Sequence, residues 1–325
     1  MSTEPTPQSD PHWNLKHLHE HIQYAADLEL WTIPFYMSAM YSVINRTSQQ
    51  FQLIQSVINQ EMLHLQSVAN IGNAYGYSPK ISVPVYAGQT IPHLDFNLDV
   101  PNPTQSFQPY TAEIGPLDIA HINAMCLIEY PEWDSSAPVS LKQNVKEYAN
   151  IGDFYRALRY GAGLFKDRIK GGINQVNYFS AYYRLMPGMT ITENGSAGFN
   201  QVGMLIDLIT DQGEGSNAGQ NNDPLIANFQ NTADDLLQTI DHFEKFEMIK
   251  NNMQLQETYA FKPVSDYTDY DRQLVEILKE HFNKLRNRLD ALFVGENPDD
   301  FIPTMVSVGA AIQNCWKNGV TPQFS

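Results

Sequence analysis

At 325 residues and 42% apolar content, the chain is long enough to bury a full-sized core without a covalent staple. Its 36 acidic residues against 20 basic ones give a formal charge of −16, which argues against nucleic acid or an anionic membrane surface as a partner. Cys126 and Cys315 are too few for a disulfide framework and neither has a second cysteine at metal-binding spacing, so both are expected to be free thiols in a reducing, cytoplasmic compartment.

Residues 1–14 read as a loose polar tail, without the cationic start and apolar core of a secretory signal. From Leu15 to about Asn45, apolar residues recur at helical spacing, and Pro34 inside this run should kink it or re-space one turn. Ser48 opens a second periodic run, Phe51 to about Tyr75, closed by Gly76 and Pro79, and the short link makes these two helices antiparallel. Residues 77–116 carry seven prolines and read as a long crossover wrapping the bundle. A short helix is expected at about Leu117–Tyr130 and a third bundle helix at about Leu141–Ile169. Tyr178 to Gly198 reads as a small hairpin or loop, and Asn200–Asp211 as a helix that runs into the Gly-rich stretch Gln212–Asn222. Further helices are expected over Phe229–Gln254, Asp271–Leu292 and Pro303–Trp316. No apolar stretch approaches the roughly 20 residues needed to span a bilayer. The pattern is mainly α: a four-helix bundle with a long Pro-rich crossover and additional C-terminal helices. It forms one domain over 15–325, with a bundle core over about 15–250 and a helical extension over about 255–325.

The sharpest chemical feature is Glu61-Met62-Leu63-His64 on the second helix. Three residues apart, the carboxylate and the imidazole project from one face and can reach the same metal ion. On its own the pattern is weak, since a surface ion pair or a satisfied core histidine gives the same string. Two features strengthen it. Both residues lie beside the apolar face of Val57, Ile58 and Leu65, and Glu29 on the first helix stands at a matching distance from the turn. Two inward carboxylates at one height repel unless a cation bridges them. The other half of such a site has candidates in Asp153, Asp211, Glu214 and His242, but no second Glu-x-x-His, because Thr239 stands three residues before His242. Asp118 and His121 share the spacing, yet at the start of a short helix Asp118 reads as a cap.

These stretches, taken in order, resemble the ferritin-like domain of the iminophenyl-pyruvate dimer synthases of bisindole pigment biosynthesis and of stand-alone bacterial relatives. The matching segments are Ala26-Asp27-Leu28-Glu29 with Thr32-Ile33-Pro34-Phe35-Tyr36, Glu61-Met62-Leu63-His64 with Ala69-Asn70, and Leu127-Ile128-Glu129-Tyr130-Pro131-Glu132. Ile151–Tyr155, Gln212–Gly215 and His242–Phe246 complete the set, which covers roughly residues 15–250. The resemblance implies a ferritin-like fold and a carboxylate-bridged pair of metal ions, iron first and manganese second. Its ligands would be Glu29, Glu61, His64, Glu214 and His242, with Asp153 and Asp211 where the family pattern favours Glu. Each Asp is one methylene shorter but remains a hard oxygen ligand.

The leading functional expectation is a di-iron oxidoreductase or oxygenase acting on a small organic molecule, with specialised metabolism as its setting. Glu61 would bridge the ions, and the free ring nitrogen of each histidine would be held by Asp241 or a tyrosine. The alternative is a non-catalytic metal-binding or scaffold protein partnering a biosynthetic enzyme, motivated by Asp153 and Asp211. A third reading, iron storage, is disfavoured because the crossover and insertions would obstruct packing into a shell; a homo-oligomer of smaller size is compatible with the sequence. The His12, His17, His19 and His21 tract reads as solvated helix, and Tyr24, Trp31, Phe35, Tyr36 and Tyr41 as core that could also line a cavity. Gln212-Gly213-Glu214-Gly215 lacks the Lys and hydroxyl residue of a phosphate loop, and its glycines fit a tight turn beside the metal site.

Overall fold

A computed structural model describes residues 13–92, 95–98, 102–130, 139, 141–178, 189–213 and 240–325. Eight α-helices and no named strand occur among the described residues, apart from one isolated antiparallel bridge between Val43 and Thr258. The mainly α architecture with extra C-terminal helices therefore holds.

Helix α1 (Leu15–Ser42) is started by Asn14, whose side chain accepts from the Lys16 and His17 amides. The helix runs on through Pro34, although that residue has no N–H to offer the preceding turn. Helix α2 (Gln49–Ala74) is capped by Ser48, which accepts from the Phe51 amide at 3.3 Å. A six-residue span between the helices returns α2 antiparallel to α1, so that His19 near the start of α1 reaches the Tyr75 carbonyl just past the end of α2, at 3.2 Å. At that end Gly76 takes φ +77°, and Gly72 lets the Tyr77 carbonyl approach within 2.4 Å of where a Cβ would stand.

The Pro-rich crossover contains only two short 3-10 turns, Phe96–Leu98 and Pro103–Gln105, among its described residues. It is tied to the helices by carbonyls that its own irregular path leaves free and by one tyrosine hydroxyl. Trp31 Nε1 donates to the Val85 carbonyl, Tyr86 donates to the Trp31 carbonyl, and Arg286 donates to the Ile81 and Ser82 carbonyls. The segment after residue 172 is fastened to α2 in the same way: Asn70 donates to the Val176 and Met189 carbonyls and accepts from the Val176 amide, all at 2.7 Å.

Helix α3 (Ile119–Ile128) is buried on almost every face. Asp118 caps it, accepting from the Ala120 and His121 amides, and also holds His121 Nδ1 at 2.7 Å, so the Asp-x-x-His there is a cap. The third long helix of the sequence reading is shorter than expected, because Asn150 caps α4 (Ile151–Leu164) by accepting from the Asp153 amide. Upstream stands a separate 3-10 turn, Val145–Glu147. Helix α4 packs on α1 and on α5 (Gly195–Gln212). Helix α6 (His242–Asn252) starts at a capping box made by Asp241 and Glu244 and packs on α3 and α2. Of the expected helix over 229–254, residues 229–239 lie outside the described residues, as do 179–188 of the expected hairpin and 214–222 of the Gly-rich stretch.

Helices α7 (Asp269–Phe293) and α8 (Phe301–Lys317) form the C-terminal pair. The Leu274, Leu278, Phe282, Leu285 and Leu289 face of α7 is buried, and Trp316 of α8 donates to the Ser38 carbonyl of α1 at 2.9 Å. The histidine tract is not uniformly solvated. His21 is fully buried, with Nδ1 2.8 Å from the His17 carbonyl and Nε2 3.0 Å from the Tyr148 hydroxyl. Burial lowers its pKa to about 4, so it is a neutral core histidine.

Candidate metal centre

Four helices deliver carboxylates and imidazoles to one dry point. Glu29 comes from the middle of α1, Glu61 and His64 from the middle of α2, Glu129 from the C-cap of α3, and His242 from the first residue of α6. None is more than 4% exposed. The antiparallel pairing of α1 and α2 sets the first three at one height, and the packing of α6 on both α3 and α2 brings the other two to them.

The five side chains form two triads that share a member. Glu29, Glu61 and His64 make one, Glu61, Glu129 and His242 the other, and within each the donor atoms lie within 4.8 Å of one another. His64 Nδ1 stands 3.4 Å from Glu29 Oε2 and 3.8 Å from Glu61 Oε1. His242 Nδ1 stands 2.9 Å from Glu61 Oε1 and 3.4 Å from Glu129 Oε2. Both histidines therefore aim the same nitrogen inward. Their outer nitrogens are held by glutamine carbonyl oxygens: Gln212 Oε1 is 3.0 Å from His64 Nε2, and Gln60 Oε1 is 2.9 Å from His242 Nε2. An amide oxygen only accepts, so each Nε2 carries the proton and each Nδ1 presents its lone pair to the centre when the ring is neutral.

The carboxylates are held with equal care. Tyr155 of α4 donates to Glu29 Oε1 and Tyr36 of α1 donates to Glu129 Oε1. The Thr32 hydroxyl lies 2.8 Å from both Glu61 Oε2 and the Glu29 carbonyl, divided between them. Gly213, just past α5, backs onto the site: a Cβ there would stand 3.5 Å from Glu129 Oε2 and 3.8 Å from His64 Cε1. Its φ of −84° is ordinary, so this glycine serves close approach and not an unusual turn.

Without a cation, such crowding distorts the titration of the group. Burial pushes the Glu61 carboxyl up to about 7, with the Glu129 charge adding to the rise. For His242, burial favours the neutral ring, but Glu129 and Glu61 outweigh it and raise the pKa to about 9. His64 is raised for the same reason, burial being overcome by Glu29 and Glu61. Protons thus occupy positions where a divalent ion would supply the positive charge. One atom argues for an ion directly. His242 Nδ1 is fully buried and makes no hydrogen bond of acceptable geometry, although two carboxylate oxygens stand near it. A buried nitrogen aimed at carboxylates without a hydrogen bond is what a metal ligand looks like with its ion removed.

The sequence-derived residues divide clearly. Glu29, Glu61, His64 and His242 are brought together. Asp153 is not: it lies in the first turn of α4, its side chain 41% exposed and 3.7 Å from Arg156, because the helix starts at Asn150 and turns this position outward. Asp211 falls within α5, but its side chain and all of Glu214 lie outside the described residues. Glu129 stands in one of the resembling motifs and joins the ligands, a role the sequence reading does not give it. Its signal was a carboxylate directly after the uncharged run Ala124-Met125-Cys126-Leu127-Ile128. Asp241 does not hold His242; it caps α6, and the tyrosines hold carboxylates instead of histidines. Neither cysteine belongs to either triad, and burial raises the Cys126 thiol to about 12.

A ferritin-like family model matches residues 22–251. The chain belongs to the ferritin-like family. A crystal structure of a ferritin-like protein from Caulobacter vibrioides is similar over 96% of this chain and 99% of that one, with 39% identity and a TM-score of 0.83. No curated protein matches. In this ferritin-like protein no helix among the described residues is long and apolar enough to cross a membrane.

Proposed function

We propose that the chain is a dimetal oxidoreductase, with iron as the first choice of metal and manganese the second, acting on a small organic molecule. The observation that carries this reading is the sharing of Glu61 by two triads, each completed by one further carboxylate and one histidine. Three carboxylates and two imidazoles are hard and borderline ligands that suit iron or manganese and offer nothing to a metal that needs thiolate. Glu29, Glu61 and His64 would hold one ion, and Glu61, Glu129 and His242 the other. A bound iron pair supplies the capacity to activate dioxygen or peroxide for oxidation of the substrate.

The protein's own groups prepare the centre. Tyr155, Tyr36 and Thr32 fix the carboxylate oxygens, the glutamines fix the histidine tautomers, and the fully buried Phe246 ring packs edge-on against Tyr36. The ordered motifs that resemble iminophenyl-pyruvate dimer synthases support oxidative chemistry in specialised metabolism. The scaffold alternative drew on Asp153 and Asp211, and Asp153 stands apart from the cluster, so its shorter side chain does not weaken the centre. The test is metal analysis of protein purified without chelator, followed by oxygen uptake after anaerobic loading with ferrous iron. Iron or manganese at two ions per chain with oxygen consumption is expected. Neither metal bound nor bindable would end the dimetal reading, and two ions without oxygen uptake would favour the scaffold.

A further inference from the structure

The described chain contains one fully buried lysine, Lys245, one turn beyond His242 on α6. Its Nζ is 3.2 Å from Gln60 Oε1, the same oxygen that stands 2.9 Å from His242 Nε2. Gln60 is itself 2% exposed and immediately precedes Glu61 on α2. A glutamine amide has two nearly isosteric orientations, one presenting a carbonyl to its neighbour and the other an NH2 group. Facing His242, the choice sets the histidine tautomer: a carbonyl requires a proton on Nε2, whereas an NH2 group would require the lone pair there and drive the proton to Nδ1. Only the first leaves Nδ1 free to bind a metal ion.

We propose that Lys245 is a positioning residue for the His242 half of the centre, holding the Gln60 amide so that its carbonyl faces His242 and Nδ1 is available to metal. A protonated lysine is a donor without an acceptor, so turning the amide over would set its NH2 group against the ammonium where water cannot intervene. The lysine reaches the ion through two hydrogen bonds, by way of Gln60 and then His242. This inference rests on the dimetal reading and adds to it an order of control: Lys245 fixes Gln60, Gln60 fixes His242, and His242 completes the second triad. Loss of such an outer partner typically weakens metal affinity about 10- to 100-fold.

The test uses the full chain loaded with zinc, which is diamagnetic and accepts the same donors. Nitrogen-15 spectra of the histidine rings should show His242 protonated at Nε2 and coordinated at Nδ1. Titration against a chromophoric chelator should give two ions per wild-type chain. Lys245→Met should weaken one of the two sites about 10- to 100-fold and leave the other unchanged. The double variant Gln60→Glu/Lys245→Met should recover the lost affinity, because a carboxylate at position 60 accepts from Nε2 in either orientation; a purely structural role for Lys245 gives no such rescue. Unchanged affinity at both sites in Lys245→Met, or His242 protonated at Nδ1 in the wild type, overturns the proposal while leaving the dimetal reading intact. A wild type that takes up no zinc, iron or manganese overturns both. If near-ultraviolet circular dichroism shows Lys245→Met unfolded, Gln60→Leu removes the relay instead. Loss at one site only then supports the proposal, and unchanged binding overturns it.

Discussion

The half of the centre built on Glu29 and His64 and the half built on Glu129 and His242 use the same parts. Each has a carboxylate that receives a tyrosine hydroxyl, Tyr155 in one and Tyr36 in the other. Each has a histidine whose Nδ1 points inward and whose Nε2 meets a glutamine oxygen. They differ in how the chain assembles them. The first half is an antiparallel hairpin, with all its ligands on α1 and α2, whereas the second joins the end of α3 to the start of α6 across a long stretch of sequence. The same chemistry can thus be local in one half and dispersed in the other, because a ligand needs only a helix packed at the right height.

The largest expected effect breaks both halves together. Glu61→Ala should abolish binding of both ions, measured by metal content after dialysis, since that carboxylate belongs to both triads. His64→Ala and His242→Ala should each cost one ion and spare the other. Retention of one tight ion by Glu61→Ala would mean that the halves do not share it.

Why one half was readable and the other only in part follows from this difference. Helical periodicity fixed α1, α2 and the charged helix α7 to within a few residues, because each has a long apolar face. The Glu-x-x-His string and the register of Glu29 then located half of the centre. Glu129 caps the end of a ten-residue helix buried almost all round, where amphipathic pattern carries no information about which side faces the ligands. Asp153 misled because the motif resemblance gave it a ligand position, whereas the Asn150 cap sets the phase of α4 and turns it out. No pattern in the sequence marks Gln60 and Gln212 as partners of the histidines, although Gln212 opens one of the resembling stretches; only tertiary packing places them against rings carried by other helices.

Smaller effects sharpen the comparison of the halves. Tyr155→Phe and Tyr36→Phe each remove a buried hydrogen bond to a carboxylate, and each should lower stability by about 1.5–3 kcal/mol in thermal or denaturant unfolding. In metal titrations Tyr155→Phe should weaken the Glu29 side and Tyr36→Phe the Glu129 side.

The metal-free protein should also respond to pH through this cluster. Glu61 is raised from 4.5 to about 7 and His242 from 6.5 to about 9, so the folded state holds more protons than the unfolded chain across both windows. Their contribution is therefore greatest at low pH and is lost as pH rises through 7 and toward 9. Bound metal takes the place of those protons, so the loaded protein should keep its stability to pH 9 while the metal-free protein loses it, as thermal melts across the range would show. The smallest effect belongs to Asp153→Asn, which should leave metal content unchanged and alter stability by no more than about 0.5 kcal/mol.

Crystals soaked in ferrous iron and measured at the iron absorption edge test the shared arrangement most directly. Anomalous density should show two peaks, one enclosed by Glu29, Glu61 and His64 and the other by Glu61, Glu129 and His242. A single peak, or peaks away from Glu61, would contradict the account.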